Sequence, residues 1–439
     1  MTRATLASAA FPPRLVAWRS AIIIFVITAI AMADRMSIAM LVGPIKKDFG
    51  IGDFQASLLV GAAFTSFYVL FLIPIGFAAD RFSRRKVLAI CLFIWSLATI
   101  ACGWVEGFVA LFVMRMLVGA GEAGLAPCVH GIIGDSFPRE AMAKPLALQG
   151  IGFQVGSAVG VAAAGAVLAA GAAGSFAGLP VIGEIPAWRI AFIVIGIPGI
   201  AALLLIPLLH DPKEAVAKPA NVAPQAPLMP FLRENAALVS LALTSAGFSA
   251  MGLGAVTAWV PEYLQRVQGI PPMQTGAILG GLLLLAAFAG QGLYAIVVDW
   301  LAARGVRDAT IRIGLIPIAL SVIVALLAFG NEAGGNFLPL LAALLICIAP
   351  CNAISNTLIQ QIAPAALRSR LAALSIFMIS VIGFTGGPAL VGALSEYVFG
   401  EANLGTALRV VIAGAMATSL LLLILALPKF LAYQRSSDG

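Results

Sequence analysis

Apolar stretches of roughly twenty residues follow one another along the chain with short polar breaks, and twenty residues is the length an α-helix needs to cross ~30 Å of hydrocarbon. Twelve such stretches are predicted as helices, over 20–42, 55–78, 86–105, 108–132, 145–170, 188–209, 235–260, 273–298, 311–330, 335–360, 370–395 and 403–427. One longer polar stretch, His210 to Glu234, is rich in proline and mixed in charge. It divides the chain into a six-helix bundle over 1–210, a cytoplasmic linker over 211–234 and a second six-helix bundle over 235–439. The expected fold is therefore an all-α membrane protein. The first stretch imitates a secretory signal, because Arg14 and Arg19 precede an apolar run that ends Ala31-Met32-Ala33. It continues past Asp34 and Arg35 to Val42, about 22 residues, which is spanning length rather than a short signal core.

Composition agrees: 61% of the 439 residues are hydrophobic, 10% are charged, and mean hydropathy is +1.05. In a soluble protein the net charge of +7 would suggest nucleic acid as a partner, but a cytoplasmic excess of Lys and Arg explains it here. With both termini inside, nineteen of the 26 Lys and Arg fall on the cytoplasmic side and five outside, while Arg35 and Arg115 lie within spans. The expectation is a multi-pass protein of the inner (plasma) membrane with cytoplasmic termini. Lys46-Lys47 is the one local departure from this pattern. The five cysteines lie in apolar runs without metal-ligand spacing, and no P-loop or nucleophile constellation is present. No metal, cofactor, nucleic-acid partner or enzymatic activity is expected, and the chain is expected to act as a monomer.

Four ionisable residues fall inside predicted spans: Asp34 and Arg35 on the first, Arg115 and Glu122 on the fourth. Each costs about 2.5–3.5 kcal/mol at a helix centre unless paired or hydrated, and their formal charges cancel, which suggests mutual pairing. Arg115 and Glu122 are two turns apart and project from one face, whereas Asp34 and Arg35 diverge by ~100°. Desolvation disfavours an ionised carboxylate and a nearby arginine favours it, so protonation depends on conformation. Asp34 and Glu122 are thus candidates for proton coupling, and Arg35 and Arg115 for binding a substrate anion. The alternative is a structural ion-pair network that fixes helix packing.

Between the second and third spans the chain reads Gly76-Phe77-Ala78-Ala79-Asp80-Arg81-Phe82-Ser83-Arg84-Arg85-Lys86. This resembles the signature loop of the major facilitator superfamily, Gly-x-Leu-Ala-Asp-Arg-x-Gly-Arg-Arg, departing from it at Ala78 and Ser83. Gly76 would let two helices approach, and Asp80 would pair with Arg81, Arg84 or Arg85 as a conformational latch. Asp34-Arg35 together with Arg115-x-x-x-Gly119-x-Gly121-Glu122-Ala123 is similar to the spinster-like branch of that superfamily. The resemblance is close over 34 to about 160 and generic beyond. It implies the major facilitator fold and proton-linked, alternating-access movement of amphipathic solutes such as lysophospholipids and sphingoid phosphates.

The second half offers neutral cavity candidates: Trp259, Tyr294, Asn352, Asn356 and Phe384. No intramembrane carboxylate is expected there. Ala126-Pro127-Cys128 is echoed by Ala349-Pro350-Cys351 near the end of the tenth span, as in a carrier built from repeated halves. Gly152, Gly156 and Gly160 recur every four residues, a spacing that permits close helix contact. The expected function is proton-coupled secondary transport of an amphipathic anion. The alternatives are a symporter for a small organic anion such as a sugar acid, and, from another class, a lipid-modifying membrane enzyme.

Overall fold

A computed structural model describes residues 11–138, 141–178, 180, 182–212, 228–306, 308–330, 336–364 and 367–437. Most of the expected linker, 213–227, lies outside the described residues. Among the described residues eleven helices are long and apolar enough to span a membrane: α1 Arg14–Phe49, α2 Asp53–Arg81, α3 Arg84–Cys102, α4 Phe108–Ser136, α5 Ala143–Ala172, α6 Ala187–Leu208, α7 Ala236–Arg266, α8 Pro272–Ala303, α9 Ala309–Ala328, α11 Arg370–Phe399 and α12 Glu401–Arg435. The twelfth, α10, runs over Phe337–Ile348 and resumes as Cys351–Ile362. The chain is thus the multi-pass, all-α membrane protein that its hydropathy predicts.

The two echoed tripeptides mark two helix interruptions. Pro350 has no N–H to continue the ladder, and α10 breaks at Ala349–Pro350. In α4 the first segment ends at Glu122 and the second begins at Leu125, just before Pro127. Helix α8 passes the α10 break in a π-type turn over Ala286–Gly292, and there Gln291 donates its Nε2–H to the Ala349 carbonyl at 3.0 Å. A side-chain amide so reaches a carbonyl at the interruption.

By their contacts the helices form two compact units, one of residues 1–38 and 66–221, the other of 39–65 and 222–439. In the first, α5 lies against α1 along its glycines. A Cβ built at Gly156 would stand 2.2 Å from the Ala29 carbonyl oxygen, and one at Gly160 2.2 Å from that of Ala33, so any larger side chain would force the helices apart. The first-unit core carries Trp95, Trp188 and Phe192. In the second unit α7 packs on α12 through buried serines, with Ser249 and Ser419 hydroxyls 2.7 Å apart. Tyr263, Phe329 and Phe337 stack at 5.0–5.7 Å near the far end of α7.

Candidate functional site

Helix α1 places Asp34 and Arg35 side by side, and the first segment of α4 presents Arg115 and Glu122 on one face. In the structure these four form two crossed ion pairs. Arg35 donates Nη2–H to Glu122 Oε2 at 2.6 Å and Nε–H to the same oxygen at 3.1 Å. Arg115 Nη1 lies 3.3 Å from Asp34 Oδ1, and Thr99, on α3, donates its hydroxyl to Asp34 Oδ2. The charges cancel within one helix crossing, which makes burial of four ions tolerable. Gly160 fixes the α1 backbone one residue before Asp34.

The two pairs differ in access. Asp34, Arg115 and Glu122 are buried at 2%, 0% and 1% exposure, whereas the Arg35 side chain is 23% exposed and lies over the Tyr68 ring at 5.2 Å from its centroid. Arg115 is enclosed in the helix packing and answers Asp34, whereas Arg35 is the more exposed of the two arginines. Glu122 Oε1 is buried and has no hydrogen-bond partner among the described residues, because both arginine contacts fall on Oε2. That oxygen is an open acceptor. Thr99 and Tyr68 were not foreseen; nothing in the sequence distinguishes a threonine or tyrosine beside a buried charge from one facing lipid.

The basic loop after α2 is held by Arg84. Its backbone N–H donates to Asp211 Oδ2 at 2.7 Å, and its Nη1 bonds Asp135 Oδ2, near the end of α4, at 2.7 Å. Ser83, which departs from the signature, caps α3 by accepting from the Lys86 N–H at 3.3 Å. Asp80 and Arg81 are exposed, and Arg81 lies over the Phe82 ring; Arg85 is half-buried. A Cβ at Gly76 would meet nothing within 4 Å, so the close helix approach expected there is not made. Asp135 and Asp211 were missed because they lie 51 and 127 residues from Arg84.

The family model described as "Major Facilitator Superfamily" matches residues 24–388, a stretch that includes the crossed ion pairs and the basic loop. The chain belongs to the major facilitator superfamily. Within it the chain is spinster-like. Protein spinster of Drosophila melanogaster is 26% identical over 413 residues, covering 89% of this chain but 64% of the fly protein, so the chain spans less than two thirds of that relative. The sphingosine-1-phosphate transporter SPNS2 of Xenopus tropicalis is 26% identical over 384 residues, covering 83% of this chain and 71% of that protein. A crystal structure of a bacterial homologue of the human lysosomal transporter spinster, inward-facing and unoccupied, shares the fold with a TM-score of 0.79 at 22% identity, covering 96% of this chain and 98% of that one.

In this major facilitator the second unit departs from expectation. Helix α7 continues to Arg266, so Glu262, expected in a loop, is a buried helical carboxylate at 5% exposure. Asp53, at the start of α2, is fully buried and gathers Lys46 Nζ, both Arg266 Nη atoms at 3.1 Å and the Ser395 hydroxyl at 2.6 Å. Lys46 also reaches Glu401 at 3.0 Å, and Arg266 reaches Glu262 at 3.4 Å. Lys46, one of the two lysines that broke the positive-inside pattern, thus has acidic counterparts. Trp259, a cavity candidate, is instead a core residue at 1% exposure whose Nε1–H donates to the Pro388 carbonyl at 3.0 Å. The Tyr294 hydroxyl donates to the Thr310 carbonyl at 2.9 Å, and Phe384 is half-buried in a π-type stretch of α11, Ile379–Gly386. The side chains of Asn352 and Asn356 lie outside the described residues.

Proposed function

We propose that this spinster-like major facilitator is a proton-coupled secondary carrier, alternating its access between the two membrane faces and moving an amphipathic anion of the lysolipid or sphingoid-phosphate kind. The observation that carries the reading is the asymmetry of the crossed ion pairs. Arg35 is half-open and ties up one oxygen of Glu122, while the other oxygen is buried and vacant. A proton arriving at Oε1 neutralises Glu122 and weakens its hold on Arg35, freeing the guanidinium for a phosphate or carboxylate headgroup. Asp34 and Arg115, sealed and hydroxyl-bonded by Thr99, keep the crossing neutral while the outer pair opens. Sphingosine-1-phosphate, which the frog relative transports, matches the headgroup chemistry. The positive-inside pattern supports residence in the plasma membrane with both termini cytoplasmic.

The test uses purified protein in proteoliposomes with an imposed pH gradient, offered a labelled lysophospholipid and, separately, a sugar acid. Gradient-driven uptake of the lysolipid is expected in the wild type, with its pH dependence abolished in Glu122→Gln. Uptake of the sugar acid alone would replace the substrate class. Transport by Glu122→Gln with unaltered pH dependence would remove Glu122 from the mechanism.

A further inference from the structure

On the first unit α2, α3 and α4 line a crevice of about 500 Å³ whose wall is apolar. Phe71 and Ile75 of α2 form one side, Ile90 and Ile94 of α3 the other, and Ala120–Gly121 of α4 the floor. The space exists because the floor is made of small residues. A Cβ at Gly121 would lie 2.8 Å from the Trp95 backbone nitrogen, so α3 and α4 touch there, and no α4 side chain rises to fill the gap toward α2. Phe71, Ile90 and Ile94 are 36–60% exposed. On spanning helices such edges face hydrocarbon.

Lys86, in the first turn of α3, lines the crevice with its apolar stem and carries its ammonium beyond the wall. Its neighbour Arg84 is engaged with Asp135 and Asp211, whereas Lys86 is exposed at the crevice itself. From Lys86 to Ile94 the helix rises about 12 Å, just short of half the ~30 Å hydrocarbon thickness. The crevice is therefore as deep as one leaflet, with its cation at the headgroup level, where a lysine stem reaches along apolar surface to place its ammonium in the polar layer.

We propose that this crevice is a binding site for an anionic phospholipid of the surrounding leaflet, with one acyl chain between α2 and α3 and the phosphate on Lys86. Apolar walls over a single leaflet depth select an acyl chain, and one ammonium at the mouth selects a net negative headgroup over a zwitterionic one. The site stands apart from the crossed ion pairs, and the assignment holds whatever solute the chain carries.

Full-length protein in phosphatidylcholine vesicles is given tracer phosphatidylglycerol carrying a diazirine near the end of one acyl chain. It is irradiated, and adducts are mapped by peptide mass spectrometry. Adducts are expected to concentrate on the 71–82 and 87–94 segments, to fall about fivefold in Lys86→Gln, the worth of one basic residue at an anionic surface, and to disappear in Ala120→Phe, whose ring fills the floor. A phosphatidylcholine tracer should label the segments weakly, and exposed positions of α9 such as Ile316 and Leu320 should show the background level. Thermal unfolding checks that Ala120→Phe is folded, and Lys86→Gln, a change at an exposed side chain, tests the headgroup contact independently. Equal labelling by both lipids, labelling indifferent to Lys86→Gln, or adducts spread evenly over the apolar helices would each overturn the assignment.

Discussion

The first unit closes four charges on one another, three of them buried; the second gathers its charges around one buried carboxylate, Asp53, that is wired redundantly. In the first, Asp34 and Glu122 face Arg115 and Arg35 in two pairs across a single α1–α4 crossing. In the second, Asp53 alone receives Lys46, both arms of Arg266 and the Ser395 hydroxyl, while Glu401 shares both cations and Glu262 shares Arg266. The difference teaches where a single substitution should hurt. Arg115→Met leaves Asp34 buried with the Thr99 hydroxyl in place of a cation, a loss of about 3–5 kcal/mol when one partner of a buried pair is removed. Arg266→Met leaves Asp53 still facing Lys46 and Ser395 but takes the ion partner from buried Glu262, so it should cost less than Arg115→Met without being neutral. Thermal unfolding of both purified variants checks this, and equal losses would show that the two clusters are wired alike. Asp34→Asn combined with Arg115→Met should regain much of the stability, since no isolated charge is left behind.

Next in size comes the glycine contact that positions the first cluster. The α1–α5 and α7–α11 contacts both rest on glycine: a Cβ at Gly160 would lie 2.2 Å from the Ala33 carbonyl oxygen, and one at Gly387 2.4 Å from that of Met251. Gly160→Val and Gly387→Val should each cost about 1–3 kcal/mol through overpacking against backbone. Their functional signatures should differ. Gly160→Val displaces α1 one residue before Asp34 and Arg35, so substrate affinity should fall with stability, whereas Gly387→Val has no buried charge beside it. Proteoliposome uptake measured at temperatures where both variants remain folded separates them. If Gly160→Val keeps wild-type affinity, the glycine ladder serves packing alone.

The same contrast decides what could be read from sequence. Twelve spans were legible because each is an uninterrupted apolar run, and even α10, broken at Pro350, kept its hydropathy across the break. The first cluster was legible because a charge inside such a run has few explanations, and Asp34, Arg35, Arg115 and Glu122 all sit mid-span. Which arginine pairs with which carboxylate was not, since that depends on the rotation of α1 against α4. The second cluster was hidden for a different reason. Lys46, Asp53 and Arg266 stand at helix ends, where charge is ordinary, and the contacts joining Arg266 to Asp53 and Ser395 to Asp53 span 213 and 342 residues. Trp259 misled because a tryptophan on a spanning helix carries no mark of which way it faces, and here Pro388 satisfies its N–H from within the unit.

The smallest single effect expected from the comparison is Lys46→Gln, and it is the most diagnostic of redundancy. Lys46 contacts both Asp53 and Glu401, yet Arg266 reaches both carboxylates as well, at 3.1 and 3.5 Å. With Arg266 still bidentate on Asp53, the loss should stay near the ~1 kcal/mol ceiling of an ordinary ion pair. Adding Lys46→Gln to Arg266→Met removes the last cation from a fully buried Asp53, so the double variant should lose more than the two single losses together, by about 0.5–3 kcal/mol for residues in one network. A cycle of the four proteins by denaturant or thermal unfolding reads that coupling directly. Additive losses would mean that Lys46 and Arg266 act on Asp53 independently, and the redundancy that sets the second cluster apart from the first would not exist.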